Sequence, residues 1–465
     1  MDNAINSRGI RYQGYWKSEN IFLILATLFI GVMIIIMPLN RVPDESTHAT
    51  NAWRTVYSDQ KDSFDWRTAV DQDKKIDEDE YQKIFHKKLD LSNEKFDLAI
   101  SKNKLQYTPQ ILGMLLGKFL YPSIGVIMTC GRILNALFYI LSIFFIVKYM
   151  KYGKRVLVFT SLLPISIQQA ASLSYDVFNF VAVAFFFAVL SNLTIKKSLN
   201  LKNTLMLLFS IIGLYLTKLN NLSMLIVLPF IGLKLSDNFT QLNKKITLFY
   251  EYLKKRKYRY ILLTVIIILF IATIFFKSKG GIIHFVQIIL NSLFNNSVNQ
   301  ALNPLVSAGI FGFIGNFHMQ FPLWLFFIDI SVLTVLMIGA YNEEEYGWCF
   351  EKGYVVTSSL IFPLQMLLVI GGMYFSWTKT ILGENAQYST GAQGRYFTPF
   401  LIYFTPLFIS FNHSIQGKLN NKLMNKILFV SLITNFIITV YLILIVYWYP
   451  DYQTNWLIEF MKSFN

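Results

Sequence analysis

Long apolar blocks, separated by short polar segments, dominate the pattern of residues along the chain. A block of about 18 or more apolar residues is long enough to cross the hydrocarbon core of a bilayer as a helix. Runs such as residues 261–276 are continuous, whereas barrel strands would alternate apolar and polar side chains. Because a backbone in lipid must satisfy its own hydrogen bonds, the pattern predicts an all-α integral membrane protein with about eleven transmembrane helices.

The apolar blocks define the predicted spans. They cover residues 21–37, 124–147, 156–167, 178–193, 205–216, 222–235, 260–276, 323–340, 355–373, 396–411 and 427–447. The first block lacks the small-residue cleavage site of a signal peptide, so we expect it to remain as a membrane anchor.

Lysine and arginine residues divide the connecting loops into two classes. With the N-terminus in the cytoplasm, the basic clusters in residues 151–155, 196–202, 244–245, 254–257 and 418–426 all fall on the inner side. Such an excess of basic residues is typical of cytoplasmic loops. The inner loop 342–352 also carries Glu343, Glu344 and Glu345, but acidic residues contribute little to this rule. We therefore expect a multi-pass protein with a cytoplasmic N-terminus.

Two segments on the outer side are too long to be simple connectors. The first covers residues 38–122 and the second residues 277–322, and long ordered loops are usually functional. Within them, residues 109–119 and 282–294 are apolar enough to lie along the membrane surface. We expect one polytopic domain, with its chemistry at the outer face.

Composition and charge narrow the function further. The chain has 465 residues, of which 54% are hydrophobic and 15% charged, with a net charge of +15. The basic charge is accounted for by the inner loops, so a nucleic-acid partner is not expected. The chain lacks a glycine-rich nucleotide loop, which disfavours an active site that uses a cytosolic nucleotide. Cys130 falls in a predicted span and Cys349 in an inner loop, so no disulfide framework is implied.

The first candidate for chemistry is the sequence Pro-Asp-Glu-Ser-Thr-His at residues 43–48, just after the first span. Two adjacent carboxylates, Asp44 and Glu45, can provide a general base or, with His48, bind a hard divalent cation such as Mg²⁺ or Mn²⁺. In a helix, Asp44 and His48 would share one face. An alternative stays open, because Asp44 after a proline is also a typical helix N-cap.

The second candidate is the sequence Gln-Gly-Arg-Tyr at residues 393–396, where an outer loop enters a span. Arg395 could bind phosphate through its planar guanidinium, with Gly394 letting a ligand approach the backbone. The alternative is an arginine that reaches the lipid headgroups.

The third candidate is Asp176, at the outer edge of a span. A carboxylate there is costly unless it is paired or faces water, although a simple helix-start residue is the alternative. Three basic residues, Lys218, Arg132 and Lys379, fall near the same boundary and could pair with Asp176 or bind an anionic lipid.

A series of short motifs resembles a known family. The motifs lie at residues 43–48 (Pro-Asp-Glu-x-x-His), 107–110 (Tyr-x-Pro-Gln), 131–135 (Gly-Arg-x-x-Asn), 164–176 (Pro through Ala-Ser-x-Ser-Tyr-Asp), 377–378 (Trp-Thr) and 393–399 (Gln-Gly-Arg-Tyr-Phe-x-Pro). Together they resemble the bacterial membrane family of domain of unknown function 2142 (DUF2142). That family is placed with the GT-C glycosyltransferases, which use polyprenyl-phosphate sugars at the outer membrane face.

The resemblance implies a reaction and roles for the candidates. A carboxylate, Asp44 or Glu45, would act as general base in an inverting transfer of a sugar from a polyprenyl-phosphate donor to a cell-envelope glycan or lipid-linked acceptor. Basic groups would hold the donor phosphate, and the expected ligands are Arg395, Lys218 and Arg132. Further substrate-binding residues are expected to be His48, Gln110, Asp176, Gln393 and Tyr396. The expected location is a bacterial plasma membrane.

The chain departs from the family pattern at one motif, and three other functions compete with the glycosyltransferase. Where the family commonly has Gly-Trp-Leu-Asp, residues 312–316 read Gly-Phe-Ile-Gly-Asn, so the role of that aspartate does not transfer. A flippase or transporter would show charged residues within the spans and internal repeats, whereas these spans are nearly free of charge. A polymerase or ligase of lipid-linked glycans is the second competing function, and a non-catalytic assembly subunit is the third.

Overall fold

Helices make up nearly all of the regular structure. The computed structural model describes residues 17–57, 66, 76–91, 95–98, 101–235, 244–245, 248, 252, 255, 273–277, 280–340, 350–415 and 420–449. Two short strand pairs form among them: β1 (Ser198–Leu199) is parallel to β2 (Lys234–Leu235), and β3 (Phe313–Ile314) is antiparallel to β4 (Met319–Gln320).

The α-helices of the described residues are numbered along the chain. They are α1 (Ser18–Ile36), α2 (Glu45–Trp53), α3 (Glu78–His86), α4 (Lys102–Leu105), α5 (Thr108–Leu120), α6 (Ile124–Tyr149), α7 (Lys154–Ser161), α8 (Pro164–Ala170), α9 (Asp176–Lys196), α10 (Leu201–Thr217), α11 (Gly281–Phe294), α12 (Leu323–Gly339), α13 (Lys352–Ser359), α14 (Ile361–Met373), α15 (Lys379–Leu382), α16 (Thr405–Ile415) and α17 (Asn421–Ile443). The 3₁₀ segments are Leu219–Phe230, Ala308–Ile310, Gly394–Tyr396 and Thr398–Phe404, and the π segments are Leu302–Ser307, Tyr374–Thr378 and Leu444–Trp448.

Five helical stretches in the described part of the chain are long and apolar enough to cross a membrane. They are Ser18–Ile36, Ile124–Tyr149, Asp176–Lys196, Lys352–Leu382 and Asn421–Trp448. Four shorter apolar helices are Leu201–Thr217, Leu219–Phe230, Gly281–Phe294 and Leu323–Gly339. The prediction of a helical membrane protein is confirmed, but its count of eleven spans is not.

Prolines explain where predicted spans are interrupted. The predicted span 156–167 is divided into α7 and α8, and Pro164 is the first residue of α8. Proline lacks an N–H group and disfavours helical geometry in the residue before it, so α7 cannot continue through Leu163. The predicted span 222–235 is a 3₁₀ helix up to Phe230, which contains Pro229, and it ends in β2. Most of the predicted span 260–276 lies outside the described residues.

The centre of the bundle is α9, whose most apolar stretch is 78% buried by other parts of the protein. It packs against α6 and α10, while α1 packs against α6 and α17. The rings of Phe29 and Phe436 stack between α1 and α17 with centroids 4.0 Å apart. Trp448 also donates a hydrogen bond of 2.7 Å to the carbonyl of Ile36. Since lipid is as apolar as these side chains, close packing and such hydrogen bonds hold the helices together.

The helices α6 and α9 run in one direction and α1 and α10 run in the opposite direction, which gives the bundle two distinct ends. At one end, α1 and α10 finish and α6 and α9 begin, and we call this the site end. At the other end, the side chain of Asn192 donates to the carbonyl of Tyr149 over 3.1 Å, which joins the last turns of α9 and α6. The basic segments that contain Lys151, Lys154 and Lys196 adjoin this opposite end.

Helix α5 packs closely on the first turns of α6 near the site end. A Cβ atom at Gly113 would collide with the carbonyl of Cys130, and one at Gly117 would lie 2.7 Å from the Cα of Ile127, so glycine is required there. The opposite face of α5 leaves several large apolar side chains exposed, namely Leu112, Leu116, Phe119 and Leu120. This arrangement fits the prediction that the segment lies along a membrane surface.

Candidate functional site

Asp44 stands immediately before α2, in a left-handed backbone conformation with φ of 65°. Aspartate and asparagine adopt this conformation more readily than most residues. The side chain makes no capping hydrogen bond with α2, whereas Asp77 caps α3 by accepting one from the Glu80 amide over 3.1 Å. Instead, Asp44 Oδ2 accepts a hydrogen bond of 2.7 Å from Arg395. With 53% of its side chain exposed, Asp44 presents a carboxylate to solvent, and the capping interpretation does not hold for its side chain.

Arg395 is the buried partner that fixes Asp44. Its side chain is only 3% exposed, and it donates to Asp44 and, over 3.3 Å, to the carbonyl of Pro43. Its Nε lies 3.4 Å from Asp176 Oδ2. Burial lowers the pKa of the guanidinium, but Tyr396, Asp176 and Asp44 together raise that pKa above its ordinary value. Arg395 is therefore a permanent cation held between two carboxylates.

Gly394 serves packing rather than ligand approach. A Cβ atom there would collide with the backbone of Gly309, because the 3₁₀ turn Gly394–Tyr396 lies directly on the turn Ala308–Ile310. The suggestion that this glycine admits a ligand to the backbone is therefore wrong. Glycine at position 394 allows the two turns to pack directly on each other.

Asp176 is the first residue of α9 and joins two cations. Its Oδ1 lies 3.0 Å from Lys218 Nζ, and its Oδ2 faces Arg395. The Lys218 ammonium also lies 4.5 Å from the centroid of the Tyr396 ring and 5.4 Å from that of Tyr175. Burial lowers the pKa of Lys218, but Asp176 and these two tyrosines raise it above the ordinary value. An ion-pair chain thus runs Lys218–Asp176–Arg395–Asp44.

Glu45 and Arg132 form a separate, fully buried ion pair. Arg132 donates two hydrogen bonds to the Glu45 carboxylate, of 2.7 and 2.6 Å, and two more to the carbonyls of Met37 and Pro38. The carboxylate also accepts from the backbone amides of Asn40 and Leu173. These contacts tie the end of α1 to α2 and α6. Both groups are occupied by each other, so neither is placed to act on a substrate.

His48 lies one turn into α2 and is buried beside two tyrosines. Its Nδ1 is 2.9 Å from the hydroxyl of Tyr107, and its ring meets the Tyr175 ring edge-on at 5.1 Å. Burial, opposed by nearby Asp176, lowers the pKa of His48 to about 4. The imidazole is therefore neutral near pH 7. Its role in the fold is to support Tyr107.

Gln110 bonds to a loop, and the side-chain oxygen of Gln393 is buried inside the protein. Gln110 is completely buried and donates to the carbonyl of Ser174 over 3.1 Å. The side-chain oxygen of Gln393 is buried beside Pro43 and Arg395, without a hydrogen-bond partner among the described residues. Lys379, the remaining basic candidate, pairs with Glu384 over 2.6 Å at the surface.

The described residues offer little support for a metal site. No group of three histidine, cysteine, aspartate or glutamate side chains converges within this part of the chain. Glu45 turns inward to Arg132, and His48 Nδ1 is engaged by Tyr107, so these two do not converge with Asp44. A divalent cation would have Asp44 alone of the three expected ligands.

A polar cleft of about 630 Å³ opens beside this cluster. Its lining residues are Asn51, Arg54, Ser101, Lys104, Gln106, Tyr107, Tyr175, Thr217 and Lys218. None of the described residues that line it is a carboxylate, so the cleft is electropositive and suits an anionic ligand. Its volume is within the range of small-molecule sites.

Sequence reasoning found Lys218 but missed Arg54, Lys104 and Tyr107 as cleft residues. Asn51 lies three residues after His48, and Arg54 three residues after Asn51, a spacing that a helical α2 would place on one side. Lys104 carries no such signal, because only the tertiary fold brings it to the end of α2, where it donates to the carbonyl of Arg54 over 2.9 Å.

Comparisons with known proteins gave one match. A family model described as "Predicted membrane protein (DUF2142)" matches residues 27–404, which include every side chain of the site described above. No curated protein and no solved structure matched the chain.

Proposed function

Because the chain belongs to the DUF2142 family of predicted membrane proteins, we propose that it is a glycosyltransferase that uses a polyprenyl-phosphate sugar. It would transfer the sugar to a cell-envelope glycan or lipid-linked acceptor at the outer face of a bacterial plasma membrane. One observation carries the proposal: a half-exposed carboxylate, Asp44, is fixed by a buried arginine and connected by ion pairs to an electropositive cleft.

The placement of basic residues supports an outward-facing site. The segments that contain Lys151, Lys154 and Lys196 adjoin the end of the bundle opposite to the site end. Basic residues favour the cytoplasmic side of a membrane. The site end would then face outward, where sugars linked to polyprenyl phosphate are used.

The proposed mechanism assigns the proton transfer to Asp44. Its Oδ1 has no hydrogen-bond partner among the described residues, so it can accept the proton of an acceptor hydroxyl while Oδ2 stays with Arg395. The hydroxyl oxygen attacks the anomeric carbon, and the bond from that carbon to the phosphate oxygen breaks. Polyprenyl phosphate leaves with the bonding electron pair, and the configuration inverts.

The basic residues would stabilise the charge that develops on the leaving phosphate. Lys218 faces the cleft and is the candidate for direct contact, since a preorganised cation stabilises charge most effectively where water is excluded. Arg395 is bound to two carboxylates, so its proposed role is to position Asp44 and Asp176. Arg132 is reserved for Glu45, and we do not propose it as a phosphate ligand.

The experiment uses purified protein reconstituted in liposomes with a panel of polyprenyl-phosphate sugars and envelope glycan acceptors. We expect transfer from one donor of this class, and a reduction of about 10²- to 10⁴-fold in Asp44→Asn. Asp77→Asn is the matched control, because it makes the same change at a helix N-cap away from the site and should leave transfer unchanged. Transfer at parental rate by Asp44→Asn would reject the proposed base.

A flippase for lipid-linked glycans is the second candidate, and one observation favours it. Asp329 is buried within the apolar helix α12, where its Oδ1 accepts a 2.7 Å hydrogen bond from Asn435. Ionisable residues inside membranes are often functional. Movement of a fluorescent lipid phosphate across liposomes that depends on Asp329, without sugar transfer, would favour this candidate.

A further inference from the structure

A second, apolar cavity of about 660 Å³ runs along the flank of the bundle between α6, α9 and α10. At the site end it begins beside Phe178 and Leu216. Towards the opposite end it reaches Lys148 and Tyr149, in the last turn of α6. From Phe138 to Tyr149 the groove follows α6 for about 16 Å, which is roughly half of a hydrocarbon core.

The apolar cavity, which we call the groove, and the electropositive cleft are lined by neighbouring residues of the same two helices, α9 and α10. At the start of α9, Tyr175 lines the cleft and Phe178 lines the groove. At the end of α10, Leu216 lines the groove, while Thr217 and Lys218 line the cleft. The lining therefore changes from the groove to the cleft within one residue at the end of α10 and within three residues at the start of α9, so one molecule could occupy both cavities.

We propose that the cleft and the groove form one continuous site for a polyprenyl phosphate, with the phosphate in the cleft and the first isoprenoid units in the groove. This inference rests on the proposed function and adds where that lipid binds. The Lys218 ammonium stands at the junction, where the phosphate of such a lipid must lie. The sugar would extend from the junction into the cleft.

The geometry favours this lipid over an ordinary phospholipid. The cleft has room for a sugar phosphate, and three cationic side chains line it, Arg54, Lys104 and Lys218. The groove follows one path along α6, which suits a ligand with one chain. Charge complementarity and continuity of the cavities thus select a single-chain lipid phosphate.

Gly213 provides a way to block the groove without disturbing the helices. It lines the groove, and a Cβ atom there would meet only the Cβ of Ala182, at 3.8 Å. The tryptophan side chain of Gly213→Trp would therefore extend into the groove. Leu208→Trp is the matched control, because Leu208 lies on the same helix, is exposed and does not line the groove.

The test uses polyprenyl monophosphate with a photoreactive diazirine on an isoprenoid unit near the phosphate. The full chain is placed in nanodiscs of phosphatidylcholine, irradiated, and the labelled peptides are mapped by mass spectrometry. We expect label on the α6, α9 and α10 residues of the groove, at least about tenfold less in Gly213→Trp, and no change in Leu208→Trp. Lys104→Gln should weaken labelling as well.

Three results would overturn the inference. They are label spread over other exposed faces, equal labelling of Gly213→Trp and the parent, and equal competition by unlabelled phosphatidylglycerol. If Gly213→Trp fails to fold, the labelled peptides of the parent test the inference, because they show whether the label lies in the groove. Labelling of the groove without transfer of any sugar would reject the proposed function but support the lipid site. Transfer that depends on Asp44, with the label outside the groove, would support the function and reject the lipid site.

Discussion

The buried ion pair of Glu45 and Arg132 leads to a prediction that distinguishes Asp44 from Glu45 as the general base. The Glu45 carboxylate receives four hydrogen bonds, two from Arg132 and one each from the amides of Asn40 and Leu173. Glu45→Gln keeps the size of the side chain but removes its charge. The glutamine NH₂ group would face a donor, so at least one buried donor loses its acceptor, and the Arg132 cation loses its counter-charge.

The expected loss of stability is large. Removing one partner of a buried ion pair typically costs about 3–5 kcal/mol, because the other charge is left uncompensated. Asp44→Asn should cost about 1 kcal/mol or less, since the Asp44 side chain is half exposed and Arg395 retains Asp176. The assay is the free energy of unfolding of purified protein in mixed micelles with increasing SDS, followed by tryptophan fluorescence.

A double-mutant cycle separates the pair from the rest of the site. Arg132→Met together with Glu45→Gln removes both charges, so the double variant should be more stable than the sum of the two single losses predicts. Additive losses would mean that the pair is not coupled. If Glu45→Gln instead unfolds like the parent and only loses sugar transfer, Glu45 is the base and the assignment to Asp44 is wrong.

Three further predictions follow from the site. Arg395→Lys keeps the charge but loses the fork that reaches both Asp44 and Asp176, so sugar transfer should fall at least about tenfold. Unchanged kinetics would show that the fork does not position Asp44 for the reaction. The pKa of His48 falls from an ordinary 6.5 to about 4 on folding, so the unfolded chain binds more protons between these values. The free energy of unfolding should therefore keep the whole contribution of His48 above pH 6.5 and lose it as the pH falls towards 4. The decline should be weaker in His48→Gln, and equal pH profiles of the two proteins would contradict this. In a cysteine-free background, Gln82→Cys should react with an impermeant thiol reagent on intact cells and Lys196→Cys should not, and the reverse pattern would invert the proposed orientation.

The sequence predicted the long helices well because continuous apolar runs have few alternatives in a membrane. The expectations for α1, α6, α9 and α17 correspond to helices of spanning length. It failed where proline or local packing divides an apolar run, as at Pro164 and in the 3₁₀ helix that contains Pro229. Hydropathy averages over such breaks, since it carries no information on backbone hydrogen bonding.

The candidate site was predictable in its members but not in its pairings. Asp44 and Arg395 are separated by 351 positions in the sequence, and no spacing rule brings them together. The sequence left open whether Lys218 or Arg132 pairs with Asp176 or binds an anionic lipid, and in the structure Lys218 pairs with Asp176 whereas Arg132 pairs with Glu45. Whether a carboxylate faces solvent or a buried arginine depends on tertiary packing, and this decides between Asp44 and Glu45 as the proposed base.

The rate of a single turnover tests the central claim most directly. Purified protein is saturated with its polyprenyl-phosphate sugar, mixed rapidly with acceptor, and the formation of the inverted product is followed in the parent and in Asp44→Asn. If Asp44 is the general base, the single-turnover rate falls by about 10²- to 10⁴-fold, while the donor Kd changes by less than about twofold. An unchanged single-turnover rate in Asp44→Asn would contradict the assignment of Asp44 as the base.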